Sequence, residues 1–193
     1  MKNVKFAFVS FFEVFPVNFG SSVVCSSLFN KWPYEKKYFQ LSNKKSSKKI
    51  KNINYFKCSL GKIIAIPRLF LSLRNYLNAK NNIVIIEGVS WIGFSFFLLV
   101  LIKIFKKKTK IIYKSHSIEY EIRRANSNIF IWKLTKYFEK KVFEISDLST
   151  SVSINEQKKI FKYYKIKTFL FFNTISFINN LKKKRIIKNY IFF

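Results

Sequence analysis

The chain has 193 residues, 49% of them hydrophobic, with four Gly and three Pro, enough apolar material for one packed domain, which excludes wholesale disorder. Its formal charge is +28, but of 37 basic residues only Arg68, Arg74, Arg123, Arg124 and Arg185 are Arg. Lys, Asn, Ile and Phe are enriched together, as an AT-rich coding sequence produces, and the forked Arg that nucleic-acid readers use is scarce; composition argues against nucleic acid and leaves a nonspecific attraction to phosphates or anionic headgroups.

Val4 to Ser10 is a short apolar run suited to a buried parallel strand. A loop with Pro16 and Gly20 follows, and Ser21 or Ser22 is placed to cap a helix running to about Trp32. Lys37 to Leu41 and Ile53 to Cys58 read as strands around a Lys- and Ser-rich loop, 42–51. Gly61 to Ala79 reads as a helix that Pro67 either kinks or starts. Ile83 to Ile86, β-branched throughout, is the clearest central strand. Val89 to Ile102 is uncharged for 14 residues, short of the ~20 that a membrane span needs, so a buried helix of about Trp91 to Phe105 is expected. Lys110 to Lys114 is the next strand and Ile118 to about Ala125 a short helix. Ile129 to Ile145 is an amphipathic helix with Ile131, Leu134, Phe138, Val142 and Ile145 on one face. Leu148 to Val152, Asn155 to Tyr164 and Thr168 to Phe172 complete the series as strand, helix and strand.

Such alternation predicts an α/β fold, a Rossmann-like doubly wound parallel sheet in one domain, residues 1–176, followed by a basic tail, 177–193. Ligands of these sheets gather beyond the carboxyl ends of the strands, which singles out the loops after Ser10, Ile86, Lys114, Val152 and Phe172. In the first loop, Gly20 either serves only the turn or lets backbone and helix amides approach a phosphate or sugar hydroxyl, with Ser21 beside it. After the fifth strand stands the single histidine, His116, in Ser115-His116-Ser117-Ile118-Glu119. It is either structural or a ligand group, and Glu119 can orient it, cap the next helix or bind a hydroxyl. Cys25 and Cys58 lack metal-ligand spacing, so no metal site is expected. The opening reads as a strand rather than a secretory signal, so a cytoplasmic protein is expected.

In order, VKFAFVSFFEVFPVNFGSS, IIYKSHSIEYEI, KYFEKKVFEISDLSTSVSINEQKKI and FFNTIS resemble the N-terminal domain of a GT-B glycosyltransferase of the family 4-like group, over about Val4 to Ser176. Ser153-Ile154-Asn155-Glu156 is also a capping-box pattern, which accounts for part of that match. The resemblance implies an acceptor-side domain for transfer of a sugar from a nucleotide-sugar to a glycan or lipid-linked acceptor. It gives His116 the catalytic place, on a sugar hydroxyl near the reacting carbon, and makes Gly20, Ser21 and Glu119 substrate-binding. Glu139, Asp147 and Asn173 match structural or hinge-adjacent positions. Two departures are Ser21, where many relatives have a second Gly, and Ser117, where Asn is common. The donor-binding domain, with its paired glutamates, would follow Asn173, yet Glu156 is the last acidic residue. The implied enzyme is therefore truncated, inactive alone and without a cofactor of its own; the nucleotide-sugar donor is expected only with a C-terminal domain or companion chain. The alternative is a noncatalytic membrane-surface or scaffold protein, peripheral at the inner face of the membrane, using its lysines and apolar helix.

Overall fold

A computed structural model of the protein describes residues 4–42, 52–57, 62–77, 81–106 and 108–171. Its strands are β1 (Val4–Ser10), β2 (Lys36–Ser42), β3 (Ile53–Lys57), β4 (Asn81–Gly88), β5 (Lys110–Ser115), β6 (Leu148–Ser151) and β7 (Phe169–Leu170). Its helices are α1 (Gly20–Lys31), α2 (Lys62–Tyr76), α3 (Ile92–Phe105), α4 (Glu119–Asn126), α5 (Ile129–Ile145) and α6 (Ile154–Tyr164). The strands form one sheet in the order β3-β2-β1-β4-β5-β6-β7, and every pairing is parallel. This is a Rossmann-like α/β fold whose order reverses between β1 and β4, the switch point at which such sheets bind ligands.

The sheet is buried on both faces, which explains its nearly continuous apolar runs. Alternate residues of β1 and β4 divide between two cores. Phe6, Phe8 and Ile85 pack with Cys25 and Phe29 of α1, whereas Ala7, Val9, Val84 and Ile86 pack with residues of α2, α3, α5 and α6. Of the crossovers that carry a described helix, β1 to β2 through α1 steps toward the β3 edge, whereas those through α2 to α6 step the other way, so right-handedness lays them on the opposite face.

The expected elements are all present among the described residues, with small shifts at their ends. The first helix begins at Gly20, and neither expected serine is its cap residue, which is Phe19. Ser22 Oγ instead accepts from the amides of Asn18 and Phe19 and donates to the Phe19 carbonyl, closing the turn from inside the helix. Pro67 is the sixth residue of α2, in its second turn, so it does not start the helix and its missing amide forfeits one helical bond. α3 buries Leu98, Leu99 and Ile102, so the longest uncharged stretch is core. No helix among the described residues is long and apolar enough to cross a membrane. The inward face of α5 is rotated from the expected one. Phe138 and Val142 are buried as expected, but Thr135, Glu139 and Phe143 join them, while Ile131 is 38% exposed. Two polar contacts set that rotation: Trp91 Nε1–H donates to Thr135 Oγ1 at 3.1 Å, and Glu139 reaches the start of α4. The expected tail, Asn173, Cys58 and most of the loop 42–51 lie outside the described residues.

Candidate functional site

β4 and β5 run in register so that Glu87 lies opposite Lys114 at their carboxyl ends. Both side chains point to the α1 face, because each is two residues beyond a residue packed there, Ile85 and Ile112. Their exposures are 0% and 3%, and Lys114 Nζ stands 3.4 Å from Glu87 Oε2. Beside this pair, Gly88 admits Tyr113 on the opposite face: a Cβ there would lie 2.3 Å from Tyr113 Oη and 2.9 Å from the Lys114 carbonyl.

His116, just past β5, turns toward the same carboxylate. Its Nε2–H donates to Glu87 Oε2 at 2.6 Å, which assigns the proton to Nε2 and leaves Nδ1 as the nitrogen not engaged by Glu87. Burial alone would raise the Glu87 carboxyl, but the Lys114 ammonium and then the His116 ring outweigh it and hold the group below the usual carboxylate range. Cys25 Sγ lies 4.0 Å from His116 Nε2. Burial, reinforced by the Glu87 charge, pushes this thiol far up, which removes it as a nucleophile.

Cys25 also locates His116 relative to the first loop. It is on α1, five residues after Gly20, about 7–8 Å along the helix. Gly20 and His116 therefore both stand at the carboxyl ends of the strands, Gly20 after β1 and His116 after β5. Gly20 is exposed and has nothing within 4 Å of where a Cβ would sit. No packing demands a glycine there, and its bare backbone leaves the amino end of α1 uncovered.

Glu119 does not orient His116. Glu87 holds the histidine, and Glu139, not Glu119, satisfies the amino end of α4: its carboxylate accepts from the amides of Glu119 at 2.7 Å and Tyr120 at 3.1 Å and from the Tyr164 hydroxyl. Burial is the larger effect on this group and pushes it up to about 7 against those donors. The Glu119 side chain accepts from Arg123 Nε at 2.7 Å. The two line a cleft of ≈ 690 Å³ walled by Trp91, Phe94, Ile131 and Leu134. This cleft opens where α3 and α5 cover the sheet, so Glu119 and His116 serve different sides of the rim.

Two further acidic residues, Asp147 and Glu156, are hydrogen-bonded into the framework. Asp147 accepts from Lys103 Nζ, Lys110 Nζ and the Ile111 amide, pinning the start of β6 to β5. Glu156 accepts from the Val152 amide and from Ser115 Oγ, while Ser153 Oγ accepts from the Glu156 amide. The capping box is thus formed, with the carboxylate reaching one residue further back than the usual pattern.

Among the described residues, Cys25 Sγ, a Glu87 oxygen and a His116 nitrogen fall within 4.8 Å of one another, a trio whose donors suit a soft divalent ion. Spacing along the chain does not reveal this grouping. The Lys114 ammonium already stands beside the carboxylate and the thiol is held protonated, so the cluster as built balances one carboxylate with one lysine. Glu87 and Lys114 are the residues that sequence reasoning missed. The available signal was a charge at the same step past each of two adjacent apolar strands.

No family model matches the chain, and no curated protein matches it. Among solved structures it is similar to one described as "Trehalose-6-phosphate from E. coli bound with UDP-2-fluoro glucose", with a TM-score of 0.49 and 12% identity over 83% of this chain. The match covers 42% of that chain, so this protein spans under half its length.

Proposed function

We propose that this chain is the acceptor-side domain of a family 4-like glycosyltransferase, taking part in transfer of a sugar from a nucleotide-sugar to a glycan or lipid-linked acceptor. The observation that carries the reading is the meeting of α1 and His116 at the switch point of the sheet, where the ordered sequence motifs had assigned ligand groups. In this reading Gly20 and Ser21 offer the open amino end of α1 to a phosphate or sugar hydroxyl. His116, its ring fixed through Nε2 by Glu87, accepts at Nδ1 a hydrogen bond from a sugar hydroxyl near the reacting carbon. Glu87 and Lys114 are positioning residues, and the Glu119–Arg123 cleft receives the acceptor. A donor-binding unit, on further sequence or on a companion chain, supplies the nucleotide pocket and closes the site.

The test is transfer from a panel of radiolabelled nucleotide-sugars by the chain combined with a donor-binding domain. Transfer with both parts, reduced on the order of a hundredfold or more by His116→Ala, is the expected result. Equal transfer by the His116→Ala protein would remove this histidine from the site, and failure of every pairing would remove the activity.

A further inference from the structure

We propose that the outward side of α5 docks on an anionic phospholipid bilayer, with Ile129 and Phe130 entering the apolar layer and Lys133, Lys136 and Lys140 meeting lipid phosphates. At 100° per residue these five positions and Tyr137 fall on one stripe, opposite the buried Thr135, Phe138, Glu139, Val142 and Phe143. The fold makes little use of that stripe. Ile129 is 62% exposed, Phe130 73% and Tyr137 55%. A lone exposed apolar side chain is ordinary, but two adjacent ones at a helix start, followed by three lysines, have the composition of an interfacial helix.

Behind the apolar tip, the three lysines and Tyr137, Tyr163 and Tyr164 line a hollow of ≈ 310 Å³, room for a phosphate group. The nearby carboxylates are engaged. Glu121 binds Lys159 and Tyr163, and Glu144 binds Lys141 at 2.7 Å, with Lys140 at 3.7 Å. Among the described residues no carboxylate pairs with Lys133 or Lys136; their ammonium groups lie over the rings of Trp132 and Tyr120. Positive charge with phosphate-sized room selects an anionic partner, and the exposed Ile129–Phe130 tip selects one with an apolar layer, a bilayer rather than a nucleic acid. The uncharged stretch of α3 cannot fill this role, because it packs against the sheet. The proposal stands independently of sugar transfer.

The experiment is flotation of the full chain with vesicles of phosphatidylcholine, alone or mixed with phosphatidylglycerol, at low and moderate salt. Expected is binding to the mixed vesicles only, weakened about tenfold or more by Ile129→Ser with Phe130→Ser and on the order of tenfold by Lys133→Gln with Lys136→Gln. The control pair Ile104→Ser and Phe105→Ser, exposed on α3, should bind as the parent does. Circular dichroism of each variant checks the fold, and a Phe130→Trp variant should be quenched by brominated lipid. Undiminished binding by the α5 variants, absence of binding by the parent, equal binding to neutral vesicles, no quenching, or lysine variants that lose only RNA binding would each overturn the proposal.

Discussion

Glu87 and Lys114 are each other's main electrostatic support inside the protein, since both side chains are buried. Replacing Glu87 with Gln leaves a buried ammonium unpaired, and a loss of about 3–5 kcal/mol in the free energy of unfolding is expected. Urea titration measures it, and Glu87→Gln combined with Lys114→Met should recover most of the loss; a double variant as weak as the single one would show that the pair is not the cause. The pH dependence has a definite sign. The folded Glu87 carboxyl lies below its unfolded value of 4.5, so its stabilisation is present above that value and is lost as pH falls through the folded one. Gly20 makes the opposite kind of prediction. With open space around its missing Cβ, Gly20→Ala should leave the free energy of unfolding within about 0.5 kcal/mol of the parent. Transfer by the complemented enzyme should fall. Unchanged transfer would mean that nothing approaches the backbone there.

At the scale of elements, one carboxylate orients two helices. Glu139 joins the middle of α5 to the first amides of α4 and to Tyr164 of α6. Its folded value of about 7 lies above the unfolded 4.5, so between those limits the folded protein holds a proton that the unfolded chain has released. Stability contributed by this group therefore declines as pH rises from about 4.5 to about 7. The parent should lose stability relative to Glu139→Gln between about pH 5 and about pH 8, as urea midpoints of the two proteins would record; a constant difference would mean that Glu139 does not titrate in that interval. The end of β4 is a second such junction. Gly88→Ala drives a methyl into Tyr113 Oη and the Lys114 carbonyl, and a loss of about 1–3 kcal/mol is expected, read as a lower thermal midpoint. The sequence showed Gly88 as a turn after a strand; the neighbour it must admit comes from β5, more than 20 residues on, and no local pattern announces it.

For the molecule as a whole, the alternating strands and helices, the parallel sheet and the rim were legible before any coordinates because they follow from local properties. Short continuous apolar runs make buried strands, period-3.6 runs make helices, and right-handed crossovers leave few ways to join them. Gly20 and His116 could be assigned to one rim on those grounds. What the tertiary structure alone decided is which charges meet. Glu87 finds Lys114 through the register of two strands separated by α3, Glu139 finds α4 through the crossing of helices, and Glu119, three residues from His116, turns to Arg123. The exposed stripe of α5 was equally hidden, because a helix shows its apolar positions in sequence but not which of them the fold covers. Local periodicity is written in neighbouring residues, whereas a side chain's partner depends on long-range closure of the backbone. For that reason the sequence by itself determined the scaffold and the rim on which Gly20 and His116 stand, and only packing determined which side chains meet there.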